Sequence, residues 1–116
     1  MQAKDAIQNL KAGNIRFVEG KVERSNQDSA RIQSLTEGQA PWAIILSCAD
    51  SRVVPELAFD TGLGELFVIR VAGNIANKST VASIEYAIAH LGTKLIVVMG
   101  HESCGAVGAA LANGGG

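Results

Sequence analysis

Three short apolar runs, each rich in β-branched residues, constrain the fold of this chain more than any other feature. They cover residues 42–47, 66–71 and 95–99. Runs of this length and composition, bounded by polar or turn-forming segments, are typical of buried β-strands. We therefore predict three buried strands, the first of which follows Pro41.

The segments between these runs have the spacing of helices. Helix-like patterns cover about residues 53–60 and 79–91, and a further helix is predicted to begin near Ser103. Strands that alternate with helices in this way favour an α/β fold, in which helices flank a parallel β-sheet core. Right-handed crossovers leave the ends of such strands at one edge of the sheet, where open α/β sheets bind their ligands. We therefore expect the chemistry directly after each strand.

The N-terminal third of the chain is predicted to be helical and peripheral. Apolar residues recur at helical spacing over residues 3–18, although Gly13 weakens the pattern and allows a break. A second, short helix is predicted within residues 25–35, after a polar cap. The sequence thus predicts a single domain over residues 1–116, with an N-terminal helical arm at about residues 1–38.

Charge and hydropathy exclude several classes of partner. The chain has 11 acidic and 10 basic side chains, and so lacks the basic excess that is usual in nucleic-acid binders. The apolar runs are far shorter than the roughly 20 residues that span a bilayer, so we expect no membrane segment. The N-terminus begins an amphipathic pattern rather than a secretory signal, which predicts a cytoplasmic protein.

Metal-ligating residue types follow two of the predicted strands. Cys48 comes directly after the first strand, and His101 and Cys104 come directly after the third. Two thiolates and an imidazole suit a tetrahedral site for a soft metal, with zinc as the first choice. Three protein ligands leave the fourth position open, which is typical of catalytic rather than structural zinc. The spacing therefore predicts a reactive zinc site.

An acid and a base lie beside the first of these cysteines. Asp50 and Arg52 could form a pair, in which the guanidinium keeps the carboxylate ionised and fixes its direction. Asp50 could then accept a hydrogen bond from a metal-bound water, or it could itself become the fourth ligand. The alternative is that Asp50 caps the helix predicted to begin near Val53, while Arg52 is a solvated surface residue.

Four ordered motifs in these segments resemble those of one protein family, the β-class carbonic anhydrases of the plant-like type. The motifs are Cys-x-Asp-Ser-Arg at 48–52, Gly-Glu-Leu-Phe-Val-Ile-Arg-Val-Ala-Gly-Asn at 64–74, Ser-Ile-Glu-Tyr-Ala at 83–87 and Gly-His-x-x-Cys-Gly-Ala at 100–106. The resemblance covers nearly the whole chain. Family members are usually longer, so we expect the fold to lack the C-terminal part of the family domain. The final segment, residues 113–116, reads as a frayed or truncated end.

The resemblance implies a cofactor, a reaction and a set of roles. Zinc would be held by Cys48, His101 and Cys104, and Asp50 and Arg52 would form the catalytic dyad. The implied reaction is the reversible hydration of carbon dioxide to bicarbonate and a proton, through a zinc-bound hydroxide. Such a hydroxide is available at neutral pH because zinc lowers the pKa of bound water to about 7.

The resemblance also implies a substrate pocket made by Gln39, Phe67 and Tyr86. Gln39 would donate a hydrogen bond to bicarbonate, and the two aromatic rings would exclude water beside the metal. In this family such walls come from across a subunit interface, so a homodimer or a larger homo-oligomer is implied. From the residues alone, Phe67 is ordinary strand core, Gln39 a loop residue and Tyr86 a half-buried helix aromatic.

Two alternative functions remain open at this stage. The same scaffold could hydrolyse another linear substrate, such as carbon disulfide or carbonyl sulfide. The chain could also be a catalytically silent module that binds zinc or supports assembly.

Overall fold

The computed structural model describes residues 1–113 of the chain. The predicted frayed or truncated end covers residues 113–116, of which residues 114–116 lie outside the described part of the chain. In chain order, the helices and strands are α1 (Ala3–Val18), α2 (Ser29–Ser34), β1 (Ala43–Ser47), α3 (Pro55–Ala58), β2 (Leu66–Arg70), α4 (Lys78–Leu91), β3 (Ile96–Met99) and α5 (Gly105–Ala112).

The strands form one parallel sheet in the order β2-β1-β3. Ser47, the last residue of β1, pairs with Arg70 on one side and with Met99 on the other. All three strands therefore end at the same edge of the sheet. This confirms the predicted α/β fold with a parallel sheet core flanked by helices.

Burial differs strongly among the three strands. Every residue of β1 is buried, which is typical of a central parallel strand. The residues of β2 are mostly half-buried, and β3 lies at the edge of the described sheet, with Val98 62% exposed. The prediction that all three strands are buried was therefore wrong for β3, because an apolar run does not show whether a further layer covers it.

The first helix is continuous, so the break that was allowed at Gly13 does not occur. Its buried face consists of Ala6, Leu10 and Gly13, and Leu10 belongs to the core around β1. A Cβ atom added at Gly13 would overlap the backbone carbonyl of Phe59. The glycine is therefore a close-approach point between α1 and the segment after α3, which offsets its low helix propensity.

The remaining helices follow the predictions in part. Helix α2 begins after Asp28, whose side chain accepts a hydrogen bond from the Arg31 backbone N–H. Helix α4 begins one residue before the predicted start, behind a capping box made by Asn77 and Thr80. Helix α5 begins at Gly105, close to the predicted start near Ser103, and Ser103 itself has a positive φ.

The third helix is a single turn, shorter than the predicted 53–60. It starts at Pro55, which suits the first position of a helix, and it ends before Asp60, which has a φ of 48°. The Asp60 carboxylate is buried and accepts hydrogen bonds from Arg16 Nε at 2.7 Å, the Glu23 N–H at 2.9 Å and the Arg24 N–H at 3.1 Å. One carboxylate thus ties α3 to the end of α1 and to the following connection.

Among residues 1–113, no helix is both long enough and apolar enough to cross a membrane.

We predict that Gly13→Ala destabilises the protein, whereas Gly108→Ala does not. A methyl group at position 13 must displace the Phe59 backbone, and overpacking of this kind costs about 2 kcal/mol. Gly108 lies in α5 with no atom within 4 Å of an added Cβ, so alanine there should stabilise the helix by about 0.5–1 kcal/mol. Urea unfolding followed by circular dichroism measures both. Equal changes in the free energy of unfolding for the two variants would contradict the close approach of the Phe59 backbone to Gly13.

We predict that Asp60→Asn destabilises the protein at neutral pH by about 2 kcal/mol, since hydrogen bonds to a charged group are lost. Hydrogen bonds from the Glu23 N–H and from the Arg16 guanidinium hold the pKa of Asp60 below its usual range. A depressed folded-state pKa contributes stability above the unfolded-state value of about 4, and this stability is lost as the pH falls toward the folded-state pKa. The difference in the free energy of unfolding between wild type and Asp60→Asn should therefore narrow below about pH 4. A difference that is independent of pH would contradict this role of the charge.

Candidate metal centre

Two loops at the carboxyl edge of the sheet bring three metal-ligating side chains together. Cys48 follows β1, and His101 and Cys104 follow β3. The two sulfur atoms lie 3.9 Å apart, and one ligand atom from each of the three residues lies within 4.8 Å of the other two. Because β1 and β3 are parallel neighbours, residues distant in sequence meet here. This Cys–His–Cys group could hold a metal ion.

One ring nitrogen of His101 has no hydrogen-bond partner among the described residues. His101 Nδ1 lies 2.8 Å from the backbone carbonyl of Glu102, so this nitrogen carries the proton of the neutral ring. Nε2 is then an acceptor, and it is buried without a hydrogen-bond partner. A buried polar atom without a partner is costly, and a metal ligand needs such a free lone pair. The residues present therefore fit a metal ion at Nε2.

The first cysteine is held in its ligand form. Cys48 is buried, and the backbone N–H of Gly73 donates to its sulfur at 3.3 Å. This N–H, followed by the contact with His101, lowers the pKa of Cys48 to about 6, so the thiolate predominates at neutral pH. Contact with Cys48 in turn raises the pKa of His101. The φ of Gly73 is 74°, a conformation that favours glycine.

Asp50 and Arg52 form a bidentate pair beside this group. Arg52 Nε lies 3.0 Å from Asp50 Oδ1, and a terminal nitrogen lies 2.7 Å from Oδ2. The side chain and the backbone N–H of Arg52 hold the pKa of Asp50 well below its usual range, and the pair raises the pKa of Arg52. Asp50 Oδ2 also lies 3.9 Å from His101 Nε2. The carboxylate is therefore an ionised hydrogen-bond acceptor next to the Cys–His–Cys group.

The alternative role of Asp50 as a helix cap was wrong. Helix α3 begins after Val54, which contributes no side-chain cap. The Asp50 carboxylate instead accepts a hydrogen bond from the Arg52 backbone N–H at 2.9 Å, within its own loop. Arg52, although 66% exposed, also donates to the backbone carbonyl of Ser103 at 3.2 Å. It thereby links the two loops that carry the Cys–His–Cys group.

The three residues expected in a substrate pocket lie elsewhere in the chain. Phe67 pairs with Ile44, four residues before Cys48, so it lies about 13 Å away along the strand direction. Its ring is 6.0 Å from the Tyr86 ring, and Tyr86 is 47% exposed. Gln39 lines an open groove with α2 and the segment before β2. Within one described chain, these three side chains do not close over the Cys–His–Cys group.

Sequence reasoning missed Arg70 as a site residue. Its guanidinium contacts the Cys48–Val53 loop, although the residue itself lies on the neighbouring strand. The available signal was its position: it is the charged residue that ends an otherwise apolar strand at the edge where ligands bind.

The fold and the site together define a class of protein: an α/β protein that carries a Cys–His–Cys group and a neighbouring Asp–Arg pair at the carboxyl edge of a parallel sheet. Comparison with known proteins identifies the family within this class. The family model described as carbonic anhydrase matches residues 43–116.

Individual relatives agree with this match. Carbonic anhydrase 2 of Mycobacterium tuberculosis is 52% identical over 103 residues, which cover 89% of this chain and 50% of the relative. The solved β-carbonic anhydrase CcaA is 38% identical with a TM-score of 0.68, over 91% of this chain and 53% of that one. A tetrameric β-carbonic anhydrase from Sordaria macrospora is 40% identical with a TM-score of 0.65, over 69% of this chain and 42% of that one.

The chain therefore belongs to the β-carbonic anhydrase family, which confirms the resemblance seen in its motifs. It spans about half the length of the curated relatives that it matches.

Proposed function

We propose that this chain binds zinc and catalyses the reversible hydration of carbon dioxide to bicarbonate and a proton. One observation carries the proposal: the buried, unpartnered Nε2 of His101 lies beside two cysteine sulfurs and faces an ionised carboxylate at 3.9 Å. Membership of the carbonic anhydrase family supports the same conclusion.

Cys48, His101 and Cys104 are the proposed zinc ligands. Two sulfur donors and one imidazole match the preference of zinc, and the group contains three donors rather than four. Zinc bound there would lower the pKa of a coordinated water toward about 7, which supplies a nucleophile at neutral pH. The Gly73 N–H holds Cys48 in its ligand form, and the Glu102 carbonyl orients the His101 ring.

Asp50 is proposed to orient the reacting water. As an ionised acceptor beside His101 Nε2, it would accept a hydrogen bond from that water and direct an oxygen lone pair toward the substrate carbon. Arg52 would keep the carboxylate ionised and fix its direction through two parallel hydrogen bonds. Both carboxylate oxygens are engaged by Arg52, which supports this role over the alternative in which Asp50 becomes the fourth ligand.

The proposed pocket needs a second copy of the chain. Phe67, Tyr86 and Gln39 do not reach the Cys–His–Cys group of their own chain, and Tyr86 is 47% exposed. We infer a homodimer or a larger homo-oligomer in which these side chains line the site of a neighbouring copy. The tetrameric state of the Sordaria macrospora relative supports an assembly.

A cytoplasmic location is the final part of the proposal. Cys48 and Cys104 are free cysteines whose sulfurs lie 3.9 Å apart. Oxidation to a disulfide would remove both as metal ligands, so a reducing compartment such as the cytoplasm favours the proposed site.

We predict that alanine at Cys48, at His101 or at Cys104 abolishes the binding of zinc, whereas His90→Ala does not. Each ligand variant leaves only two donors, while His90 lies on α4 stacked against Tyr86, outside the group. Zinc content after dialysis, measured by elemental analysis, should fall from one equivalent to nearly none in the three ligand variants. Retention of one equivalent in any of them would reject that residue as a ligand.

We predict that the zinc-loaded chain hydrates carbon dioxide in a stopped-flow assay, that a zinc chelator abolishes the activity, and that Asp50→Asn lowers it. The amide keeps the size of the carboxylate but loses its charge, so zinc should remain bound while the rate falls by about tenfold to a hundredfold. Asp5→Asn, the same change on an exposed face of α1, is the matched control.

Three outcomes would contradict parts of this proposal. An unchanged rate in Asp50→Asn would reject the orienting role. Zinc binding without turnover would favour the silent zinc-binding module. Turnover of carbonyl sulfide but not of carbon dioxide would favour the alternative hydrolase.

A further inference from the structure

The side chain of Arg70 contacts three backbone carbonyls of one loop. Its Nε donates to the Cys48 carbonyl at 2.8 Å, and a terminal nitrogen donates to the carbonyls of Asp50 at 2.6 Å and Val53 at 2.9 Å. Arg70 is the last residue of β2, and its backbone is fixed opposite Ser47 by the parallel pairing. The side chain at the end of β2 therefore holds the backbone of the loop that follows β1.

The loop that receives these hydrogen bonds has little structure of its own. Residues 48–54 form neither helix nor strand, and a turn hydrogen bond joins the Val53 N–H to the Asp50 carbonyl at 3.2 Å. The same loop carries one proposed zinc ligand and both members of the Asp–Arg pair. Its backbone path decides how far the Cys48 sulfur lies from the Asp50 carboxylate.

We propose that Arg70 is a positioning residue, which holds Cys48 and Asp50 in the relative arrangement that the metal site requires. This inference rests on the proposed function. A guanidinium presents its donors in a planar, rigid fork, so three carbonyls bound to one fork are fixed relative to one another. Two of these carbonyls belong to the very residues whose side chains face the site.

The two arginines of the site have different tasks in this arrangement. Arg52 binds the carboxylate of Asp50 and so controls the charge and direction of that side chain. Arg70 binds the backbone carbonyls of Cys48, Asp50 and Val53, and so fixes the backbone positions from which those side chains extend. Removal of Arg70 should therefore disturb the proposed metal ligand Cys48 as well as Asp50, because Arg70 donates hydrogen bonds to the backbone carbonyls of both residues.

The test compares Arg70→Met and Arg70→Lys with Arg31→Met in the full 116-residue chain. Arg31 is a matched control because its Nε also donates to a backbone carbonyl, that of Leu63 at 2.8 Å, in a loop that does not carry the group. Lysine keeps the charge at position 70, but a single ammonium on a flexible stem cannot reproduce the fork.

Three readouts separate positioning from general stability. Titration of the metal-free chain with Co²⁺ measures metal affinity, and the visible and thiolate charge-transfer bands of the cobalt form report the geometry around the metal. Hydrogen exchange of the metal-free chain measures the order of residues 48–54. Circular dichroism measures whether each variant is folded.

We expect Arg70→Met to weaken cobalt affinity by about tenfold or more, as the loss of groups that orient ligands generally does. It should also shift the cobalt bands and speed exchange in residues 48–54, with Arg70→Lys intermediate. Arg31→Met should leave affinity, bands and exchange in residues 48–54 unchanged.

The proposal is overturned if both folded Arg70 variants keep wild-type cobalt affinity and bands. It is also overturned if both Arg70 variants are unfolded while Arg31→Met is folded, since Arg70 would then serve general stability. A wild-type chain that binds neither cobalt nor zinc would overturn the proposed metal site and this inference together. If the wild-type chain binds cobalt and the Arg70 variants bind it with the same affinity and bands, only the positioning role is overturned.

Discussion

Ser47 ends β1 opposite both Arg70 and Met99, because β1 pairs in parallel with a strand on each side. The next residue, Cys48, therefore emerges between the loop that follows β2 and the loop that follows β3. The first supplies the Gly73 N–H, and the second supplies His101 and Cys104. Since side chains alternate across a sheet, a slip of one residue in this pairing would point Cys48 away from all of them. The candidate site thus depends on the register of a buried strand.

The electrostatics of the site follow from this geometry. The Cys48 sulfur and the Asp50 carboxylate both lie within a few ångströms of His101, and negative charges at such distances repel one another unless cations or N–H groups face them. Arg52 faces the carboxylate, and the Gly73 N–H faces the Cys48 sulfur. The contact between Cys48 and His101 lowers the pKa of the thiol and raises the pKa of the imidazole. A metal at these atoms would need their deprotonated forms, which is general for thiolate and imidazole ligands.

Local sequence patterns were sufficient to predict much of this structure. Apolar runs located the strands, strand-helix alternation located their common edge, and residues directly after the strands supplied the Cys–His–Cys group and the Asp–Arg pair. The features that were predicted wrongly or missed depend on contacts that a single sequence does not show. Gly13 was expected to weaken α1, but the approach of Phe59 requires a glycine there. The exposure of β3 depends on what lies beyond it, and the contacts of Arg70 depend on the path of a loop from another strand.

The same distinction separates the metal group from the substrate pocket. The Cys–His–Cys group is built from two loops of one chain, joined to each other by Arg52 and Ser103, so every contact that defines it lies within the described residues. Phe67 and Tyr86 pack on each other near the opposite end of the strands, and much of the Tyr86 ring is exposed. If the proposed function holds, affinity for the metal is a property of the single chain, whereas exclusion of water from the substrate is a property of the assembly. The proposed hydration of carbon dioxide therefore depends on association between copies, whereas the proposed binding of the metal does not.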